Sequence, residues 1–380
     1  MKEARELIPG FQTIPDGQTP AARDDGRNVD LQTGLLLGEA SGQKALASRH
    51  DLGLQSQAFP NVPGRQSSES PSYYGIPVLK QPVWVWWIAV YFYVGGLAGM
   101  SALLGAAVQM FGGRDMRSLV TKTRWIATIG AGLSTVLLIA DLGRPERFLN
   151  MLRVFKLTSP MSIGSWVLST FSAAASGAAV LSYGPRIFRP LAGAFGILAG
   201  LLGLPLASYT GVLLVQTAVP LWKNRWWSVL ALCSGTSAAC SFLELLPLNA
   251  KEARAIQVFG LIGECGEILA AKQIEKEASQ IEHVAKPLHD GLTGFLWQSA
   301  KALTVASAVV SIAPGHSRKK RIAAGLLGTA AGICMRFAYF LAGKRSARDP
   351  HATFQQQRRI PALHAGELNP TSSSEIFRAV

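Results

Sequence analysis

The stretch ADLGRPERFLNMLRVFKLTSPMSIGSWVL, residues 140–168, decides the fold, because it places a polar connector between two long apolar segments. Those segments run over about 125–143 and 161–183, and each is long enough to cross a hydrocarbon core of about 30 Å as a helix. Asp141 belongs to the end of the first segment, where a charged side chain is costly in lipid. The connector is therefore the first candidate for a functional site.

The composition of the whole chain leads to the same fold class. Of its 380 residues, 49% are hydrophobic and only 16% are charged. The hydrophobic residues are gathered into runs of roughly 18 to 30, the length that a membrane-spanning helix needs. We therefore predict an all-α, polytopic membrane helix bundle rather than two or three soluble domains.

Eight apolar segments have this length, which predicts about eight transmembrane helices with both termini on one side of the membrane. The segments run over about 83–111, 125–143, 161–183, 191–216, 226–248, 253–271, 295–312 and 322–342. The predicted organisation is a polar, largely disordered N-terminal tail (1–80), an eight-helix domain (81–343) and a polar C-terminal tail (344–380), since the first 80 residues are rich in Gly, Pro, Gln and Ser.

The net charge of +14 does not indicate nucleic-acid binding. Basic and acidic residues are almost balanced in residues 1–80, and the excess of positive charge lies in short loops and in the C-terminal tail. Cations in these places suit lipid headgroups and the positive-inside rule. We expect membrane lipid, and no nucleic acid, among the partners.

Cysteine and histidine are poorly placed for a redox centre in this chain. The four cysteines, Cys233, Cys240, Cys265 and Cys334, fall in apolar runs and form no C-x-x-C pair, so an iron–sulfur cluster or a zinc site is not expected. All six histidines lie outside the predicted spans, whereas a membrane haem needs axial histidines within the bundle. We expect no haem, no iron–sulfur cluster and no metal, and assign no catalytic residue.

Four acids lie inside or at the ends of the predicted spans: Asp141, Glu244, Glu264 and Glu267. Glu264 and Glu267 are three residues apart and share one face of a helix. Intramembrane acids suit a proton relay, and an interhelical hydrogen bond or ion pair with Lys301 or Arg336 is the alternative. Lys301 and Arg336 themselves lie near span ends, where long cationic side chains are expected to reach the interface.

The connector and two tyrosines complete the candidate site. Residues 145–157 predict a short amphipathic helix at the membrane interface, with Asn150 and Arg153 on its polar face towards the bundle or a partner protein; binding of lipid headgroups is the alternative. Tyr209 follows Pro205 within the fourth span, and a buried hydroxyl needs a partner, either protein or a bound carbonyl compound. Tyr91, in the first span, fits the same role or an interfacial aromatic belt.

The residues DLGRPERFLNMLRVFKLTSPMSIGSW (141–166) resemble the signature of the NrfD/PsrC family, the membrane subunits of polysulfide, nitrite and related respiratory molybdoenzyme complexes. Shorter similarities are GGLAGMSALL (95–104), YTGVLL (209–214), PLW (220–222) and CSGTSAA (233–239). The resemblance covers about 81–343. It implies a quinone-binding subunit of the bacterial inner membrane, with menaquinone or ubiquinone as the bound substrate. It also implies a four-cluster iron–sulfur protein and a molybdopterin catalytic subunit as partners.

The resemblance also implies roles for individual residues. Tyr209 matches the family's quinone-contacting tyrosine, and Tyr91 occupies a first-helix position where some members carry histidine. Asp141 and Arg144 would complete the quinone site. The docking surface is assigned to Arg147, together with Asn150 and Arg153 from the polar face of the predicted connector helix. The proton path is assigned to Glu264, Glu267 and Glu244 because they lie inside or at the ends of the spans. Two rival functions remain open, namely a membrane anchor without redox function and an ion or solute transporter.

Overall fold

A computed structural model of the chain describes residues 29–30, 35–36, 77–142, 146, 148–153, 155–156, 158–314 and 317–357. Contacts divide the chain into two units, residues 1–60 and 61–380. In the first unit, strands β1 (Val29–Asp30) and β2 (Leu35–Leu36) pair in antiparallel fashion. The remainder of the predicted disordered tail up to residue 76 lies outside the described residues, so that prediction stays untested.

The described part of the second unit is helical. Its helices are α1 (Trp86–Phe111), α2 (Arg117–Asp141), α3 (Phe148–Met151), α4 (Pro160–Leu181), α5 (Arg189–Val215), α6 (Trp226–Glu244), α7 (Ala250–Ala278), α8 (Glu282–His289), α9 (Gly291–Ile312) and α10 (Arg318–Arg348). Short 3₁₀ turns cover Arg114–Met116, Arg186–Phe188 and Pro220–Trp222.

Seven of the described helices are long and apolar enough to cross a membrane: α1, α2, α4, α5, α6, α9 and α10. α7 corresponds to the weak sixth span of the sequence analysis. With 29 residues it is long enough to cross a membrane, and it packs along α6. Its charged residues, however, make it too polar to count among the seven apolar helices. The prediction of an all-α, polytopic membrane bundle is confirmed.

The long helices form two four-helix bundles. In the N-terminal bundle, α1, α2, α4 and α5 pack in a ring, and in the C-terminal bundle α6, α7, α9 and α10 do the same. The bundles meet where α1 contacts α6 and α10 and where α5 contacts α6. At this junction a Cβ on Gly96 would stand 3.4 Å from Gly235 Cα, so α1 and α6 approach closely through small residues.

Local signals in the sequence fix several helix starts. Asn249 and Glu252 form a capping box, in which Glu252 N donates to Asn249 Oδ1 (2.8 Å) and Asn249 N donates to Glu252 Oε2 (3.0 Å). Ser159 caps α4 by accepting from Ser162 N, with Pro160 in the first turn. α4 therefore begins directly after the connector.

The connector contains less helix than its pattern predicts. Within the described residues of 145–157, only Phe148–Met151 is α-helical. The backbone N–H of Lys156 donates to Ser162 Oγ (3.1 Å), and Ser159 N donates to Lys156 O (3.1 Å). These bonds form a turn that leads the chain into α4. The predicted amphipathic helix therefore cannot continue beyond this turn.

The last span extends further than predicted. α10 continues to Arg348, and helical turns follow over 350–357. The cation at 344 suggested the start of the polar tail, but Lys344 is only 4% exposed and its Nζ donates to Trp84 O (2.6 Å).

The ends of α2, α5, α7 and α10 lie with the connector at one end of the bundle, which we call the connector face. The opposite end is the loop face.

Candidate functional site

Tyr209 on α5 is fixed against the start of α4. Its hydroxyl donates a hydrogen bond to Pro160 O at 2.7 Å, and its ring lies directly on Gly164, where a side chain would collide with it. Tyr91 on α1 lies close enough to Tyr209 for the two phenols to interact electrostatically. The structure therefore brings together the two tyrosines that the sequence analysis selected.

Tyr91 is not part of an interfacial aromatic belt. It is only 3% exposed, packs against Phe92 with ring centroids 5.9 Å apart, and faces Gly95 on its own helix. Its hydroxyl forms no hydrogen bond with another residue of the described part of the chain. A buried phenol in this state can donate to a ligand oxygen.

Asp141 lies where three helices end at the connector face. It is 7% exposed, and its Oδ1 accepts from Val85 N at 3.5 Å, at the start of α1. It also interacts electrostatically with Lys344 near the end of α10. Asp141 therefore links α2 to both α1 and α10. Arg144 and Arg147, assigned to the quinone mouth and to docking, lie outside the described residues.

The other two predicted docking residues, Asn150 and Arg153, are both exposed on the connector. Exposed apolar side chains accompany them, with Leu149 at 69% and Phe155 at 57% exposure. Phe155 packs edge-on against Trp166 of α4, with ring centroids 5.9 Å apart. The connector thus presents mixed polar and apolar groups on a segment that is held against α4.

The acids of the C-terminal bundle form a series that begins at the loop face. Glu244, at the end of α6, lines a cavity of about 190 Å³ together with Lys320 and Arg321. Deeper in the bundle, Ser307 Oγ donates to Glu264 Oε1 at 2.5 Å. Glu264 also interacts electrostatically with Glu244. Two of the predicted proton-path residues are thereby neighbours.

Glu267, the third, lies deeper still and is only 1% exposed. Its carboxylate faces the Ser234 hydroxyl and interacts electrostatically with Arg336. Arg336 Nη1 donates to the Tyr339 hydroxyl (3.0 Å) and Nη2 to Ala231 O (3.1 Å). The contacts of Glu267 are compatible with both roles proposed for the acids, namely a proton relay and an interhelical ion pair or hydrogen bond.

The expectation that Arg336 and Lys301 reach the interface is wrong for Arg336. Arg336 is 1% exposed because α1 and α6 pack over it. Lys301 is partly buried, and its Nζ donates to Glu275 Oε1 at 2.5 Å. Tyr339 was not identified from the sequence, although its position three residues after Arg336 places both on one helix face.

In the part of the chain that the structure describes, no three His, Cys, Asp or Glu side chains are grouped so that they could hold a metal ion. The four cysteines are free thiols. The side chains that the structure gathers at the candidate site are phenols, carboxylates and a buried guanidinium, which form hydrogen bonds and can exchange protons.

Two comparisons with known proteins bear on this site. Residues 77–258 match the family model described as "Polysulphide reductase, NrfD". The protein is also 31% identical over 185 residues to the C subunit of polysulfide reductase from Wolinella succinogenes, a match that covers 42% of this protein and 56% of that subunit. The match therefore spans little more than half the length of this relative. The family match contains α1 to α6 and the connector, and hence both tyrosines and Asp141.

Proposed function

Because the chain belongs, through residues 77–258, to the NrfD family of polysulfide reductase-like membrane proteins, we propose that it is a quinone-binding subunit of an oxidoreductase complex. It is a multi-pass membrane protein. In this proposal it resides in a bacterial inner membrane and exchanges electrons between menaquinone or ubiquinone and an extrinsic four-cluster iron–sulfur protein. That protein would serve a molybdopterin catalytic subunit.

The observation that carries the proposal is the pair of phenols at the connector face, of which Tyr91 is buried and Tyr209 is half-buried. Tyr91 has a hydroxyl that no described residue engages, and Tyr209 is close enough to interact with it electrostatically. A quinone has two carbonyl oxygens that accept hydrogen bonds, and its quinol has two hydroxyls that donate them. The residues present fit such a headgroup, since the Tyr91 hydroxyl is not used by another described residue and the Tyr209 oxygen can still accept a hydrogen bond.

The two tyrosines would act differently. The Tyr209 proton is already used in the bond to Pro160 O, so towards a ligand its oxygen serves as an acceptor and suits a quinol hydroxyl. The Tyr91 hydroxyl is available as a donor and suits a quinone carbonyl. Together they would hold the headgroup in either redox state beside Asp141.

Quinone supplies a two-electron carrier that takes up two protons when it is reduced. In this chain, Asp141 lies at the end of α2 at the connector face, and Glu244, Glu264 and Glu267 lie on α6 and α7 of the C-terminal bundle. We assign proton exchange to these carboxylates. The exposed Asn150 and Arg153, with Leu149 and Phe155, would contact the iron–sulfur partner.

Binding of a short-chain naphthoquinone and its quinol to the full chain in nanodiscs tests the proposal. Each hydrogen bond is worth about 1–1.5 kcal/mol, so we expect Tyr91→Phe to weaken quinone binding about tenfold. Tyr209→Phe should weaken quinol binding more than quinone binding.

Tyr183→Phe is the matched control, because Tyr183 is an exposed tyrosine that accepts from Trp125 Nε1 at the loop face. It should leave both affinities unchanged. If the wild-type chain bound neither form, the chain would be a membrane anchor without redox function. If all three variants bound as well as wild type, Tyr91 and Tyr209 would not form the quinone site.

A further inference from the structure

The cavity of about 190 Å³ at the loop face is lined by charged side chains of both signs. Glu244, at the end of α6, supplies a carboxylate, and Lys320 and Arg321, near the start of α10, supply cations. Gln257 of α7 and Ser311 of α9 also line it, so all four helices of the C-terminal bundle contribute. One water molecule needs only about 10–15 Å³ of cavity. There is therefore room for a ligand of several non-hydrogen atoms that itself carries both charges.

The Glu244 carboxylate is buried at the cavity wall without a hydrogen-bond donor. Glu244 is only 7% exposed, and no described residue donates a hydrogen bond to its carboxylate. Arg321 interacts with it electrostatically, but Arg321 Nε and Nη2 donate to the backbone oxygens of Glu244 (3.3 Å) and Leu246 (3.4 Å) instead. Buried carboxylates normally accept hydrogen bonds. This side of the cavity therefore fits a ligand group that is both a cation and a hydrogen-bond donor.

The α10 side of the same cavity is positive. Ser317 lines the cavity and caps α10, with its hydroxyl accepting from Lys320 N at 3.2 Å, so the positive end of the helix dipole lies there. Lys320 Nζ donates to Ser311 O (3.4 Å) and to Ala313 O at the end of α9, which fixes the ammonium at the cavity wall. The bonds of Arg321 to α6 use two of its five N–H groups. Two cations at a helix start fit a phosphate group.

Apolar side chains continue from the rim of the cavity along the outside of α9. Ile312 lines the cavity and is also 65% exposed. Val309 and Val305 precede it by three and seven residues, which places them on the same helix face, and both are exposed. Seven helical residues rise about 10 Å, so this apolar stripe reaches well into the hydrocarbon layer that a spanning helix crosses. The cavity therefore opens where a lipid headgroup meets its acyl chains.

The lining of the cavity distinguishes among the common phospholipid headgroups. Phosphatidylglycerol has no cation for Glu244. Phosphatidylcholine carries a quaternary ammonium, which cannot donate a hydrogen bond and is typically bound by aromatic rings, and none of the described lining residues is aromatic. Phosphatidylethanolamine combines a phosphate with a primary ammonium that has three N–H donors. It is the headgroup of these three that matches both sides of the cavity.

We propose that the loop-face cavity binds the headgroup of one phosphatidylethanolamine molecule, with the ammonium on Glu244 and the phosphate beside Lys320 and Arg321. An acyl chain of this lipid lies along α9 on Ile312 and Val309. The bound headgroup joins the ends of α6 and α9 to the start of α10, so it stabilises the C-terminal bundle at the loop face. This inference involves neither quinone nor a partner protein and is independent of the proposed function.

Native mass spectrometry of the full chain tests the selectivity, with equal amounts of phosphatidylethanolamine, phosphatidylcholine and phosphatidylglycerol that carry the same acyl chains. Because charge-assisted hydrogen bonds are strong, we expect wild type to retain one phosphatidylethanolamine about tenfold more often than phosphatidylcholine. Glu244→Gln should lower the retention of phosphatidylethanolamine to that of phosphatidylcholine and leave phosphatidylglycerol unaffected. Glu282→Gln is the matched control, because Glu282 is an exposed acid of α8; it should behave like wild type.

A variant that fills the cavity tests the location without altering any charge. Ala253 lines the cavity, so Ala253→Phe should exclude the headgroup and abolish the preference for phosphatidylethanolamine. Ala302→Phe adds the same ring at an exposed position on α9 and should retain the preference. If Glu244→Gln does not fold, as judged by its helix content in circular dichroism, Ala253→Phe decides alone.

Thermal unfolding in nanodiscs separates a lipid from a free headgroup. Adding phosphatidylethanolamine to phosphatidylcholine nanodiscs should raise the unfolding midpoint of wild type but not of Glu244→Gln, and soluble glycerophosphoethanolamine should raise neither. An equal rise with the soluble compound would overturn the assignment to a lipid. Equal retention of phosphatidylethanolamine and phosphatidylcholine by wild type, or unchanged selectivity in both Glu244→Gln and Ala253→Phe, would overturn the inference and leave quinone binding untouched.

Discussion

Gly164 and Tyr209 are in direct contact, and a Cβ added at Gly164 would stand 2.2 Å from Tyr209 Cζ. The tyrosine is held at its other end by the bond from its hydroxyl to Pro160 O. Both restraints come from the first turns of α4, immediately after the connector. The position of the Tyr209 hydroxyl is therefore set by the place where the connector ends and α4 begins. Any shift of the first turns of α4 would move the phenol.

Gly164→Ala should displace the Tyr209 ring. Forcing a methyl group into a close-packed contact costs about 1–3 kcal/mol, and the Tyr209 ring, which is bonded to Pro160 O, must shift to make room for it. Because 1.4 kcal/mol corresponds to a factor of ten, we expect the affinity for a quinol analogue to fall about tenfold or more. Titration of the full chain in nanodiscs measures this.

Gly132→Ala is the control for that change, because Gly132 on α2 is exposed and a Cβ there would meet nothing within 4 Å. It should bind like wild type, with unchanged helix content in both variants by circular dichroism. Equal affinities for Gly164→Ala and wild type would mean that the Tyr209 ring takes no part in binding.

Trp222→Phe should weaken the junction between the bundles. Trp222 is fully buried, its Nε1 donates to Tyr339 O at 3.1 Å, and its ring stacks on Trp84 at 5.7 Å. Removal of the indole N–H takes one donor from the Tyr339 carbonyl, which keeps its bond within α10, at a cost of about 0.5–1.5 kcal/mol; the smaller Phe ring also leaves part of the buried contact with Trp84 unfilled. We expect a lower thermal unfolding midpoint in detergent.

Trp125→Phe provides the comparison, because Trp125 also donates its indole N–H, here to the Tyr183 hydroxyl, but is 39% exposed. Water can replace that partner, so the midpoint should change little. A larger loss of stability in Trp125→Phe than in Trp222→Phe would contradict the assignment of Trp222 to the core of the junction.

The helices were largely predictable from the sequence, and the reasons are physical. Apolar runs of spanning length leave no alternative to helix in lipid, so the seven apolar helices of the described residues lie where they were expected. The more polar α7 also lies at the predicted sixth segment. Their ends were less predictable. Lys344 carries a charge that suggested a tail, yet it is buried because the Trp84 carbonyl oxygen and Asp141 compensate it. Such compensation depends on residues that are distant in the chain.

The candidate site was predictable only in part, for the same reason. Asp141 and Tyr209 could be selected because polar side chains in apolar segments are rare. The contact of Tyr209 with Pro160 could not, since it depends on how α4 packs on α5. The burial of Arg336 was also missed, because its depth depends on the close approach of α1 and α6 rather than on its distance from a span end.

The ion pair between Lys122 and Glu252 should contribute to stability, since it joins α2 of one bundle to α7 of the other at the loop face. The two atoms, Nζ and Oε2, are 3.3 Å apart, and Glu252 is 1% exposed. A double-mutant cycle with Lys122→Met and Glu252→Gln should give a coupling energy of about 0.5–3 kcal/mol. Unfolding in mixed micelles measures it.

The neighbouring pair Lys251–Asp115 is the control for that cycle, because both side chains are mostly exposed, at 72% and 64%. The Lys251 ammonium holds the pKa of the Asp115 carboxyl below its ordinary value of 3.8. Any stabilisation is thus present above that pH and is lost as the pH falls through the lower, folded-state pKa. Salt screens such a pair, so its coupling should vanish in high salt. A salt-insensitive coupling here, or none for Lys122–Glu252, would contradict the assignment.

Arg153→Glu should weaken binding of the extrinsic partner to the connector. Arg153 is exposed next to Leu149, and reversal of one charge at the edge of an interface acts mainly on association, in a salt-dependent manner. We expect washed membranes to retain several-fold less of the iron–sulfur protein than wild type, with the chain itself inserted at a normal level. Lys319→Glu, an equal reversal at an exposed site on the loop face, should retain the partner fully, because the two faces lie on opposite sides of the membrane. Loss of the partner in Lys319→Glu and its retention in Arg153→Glu would place the docking surface on the loop face.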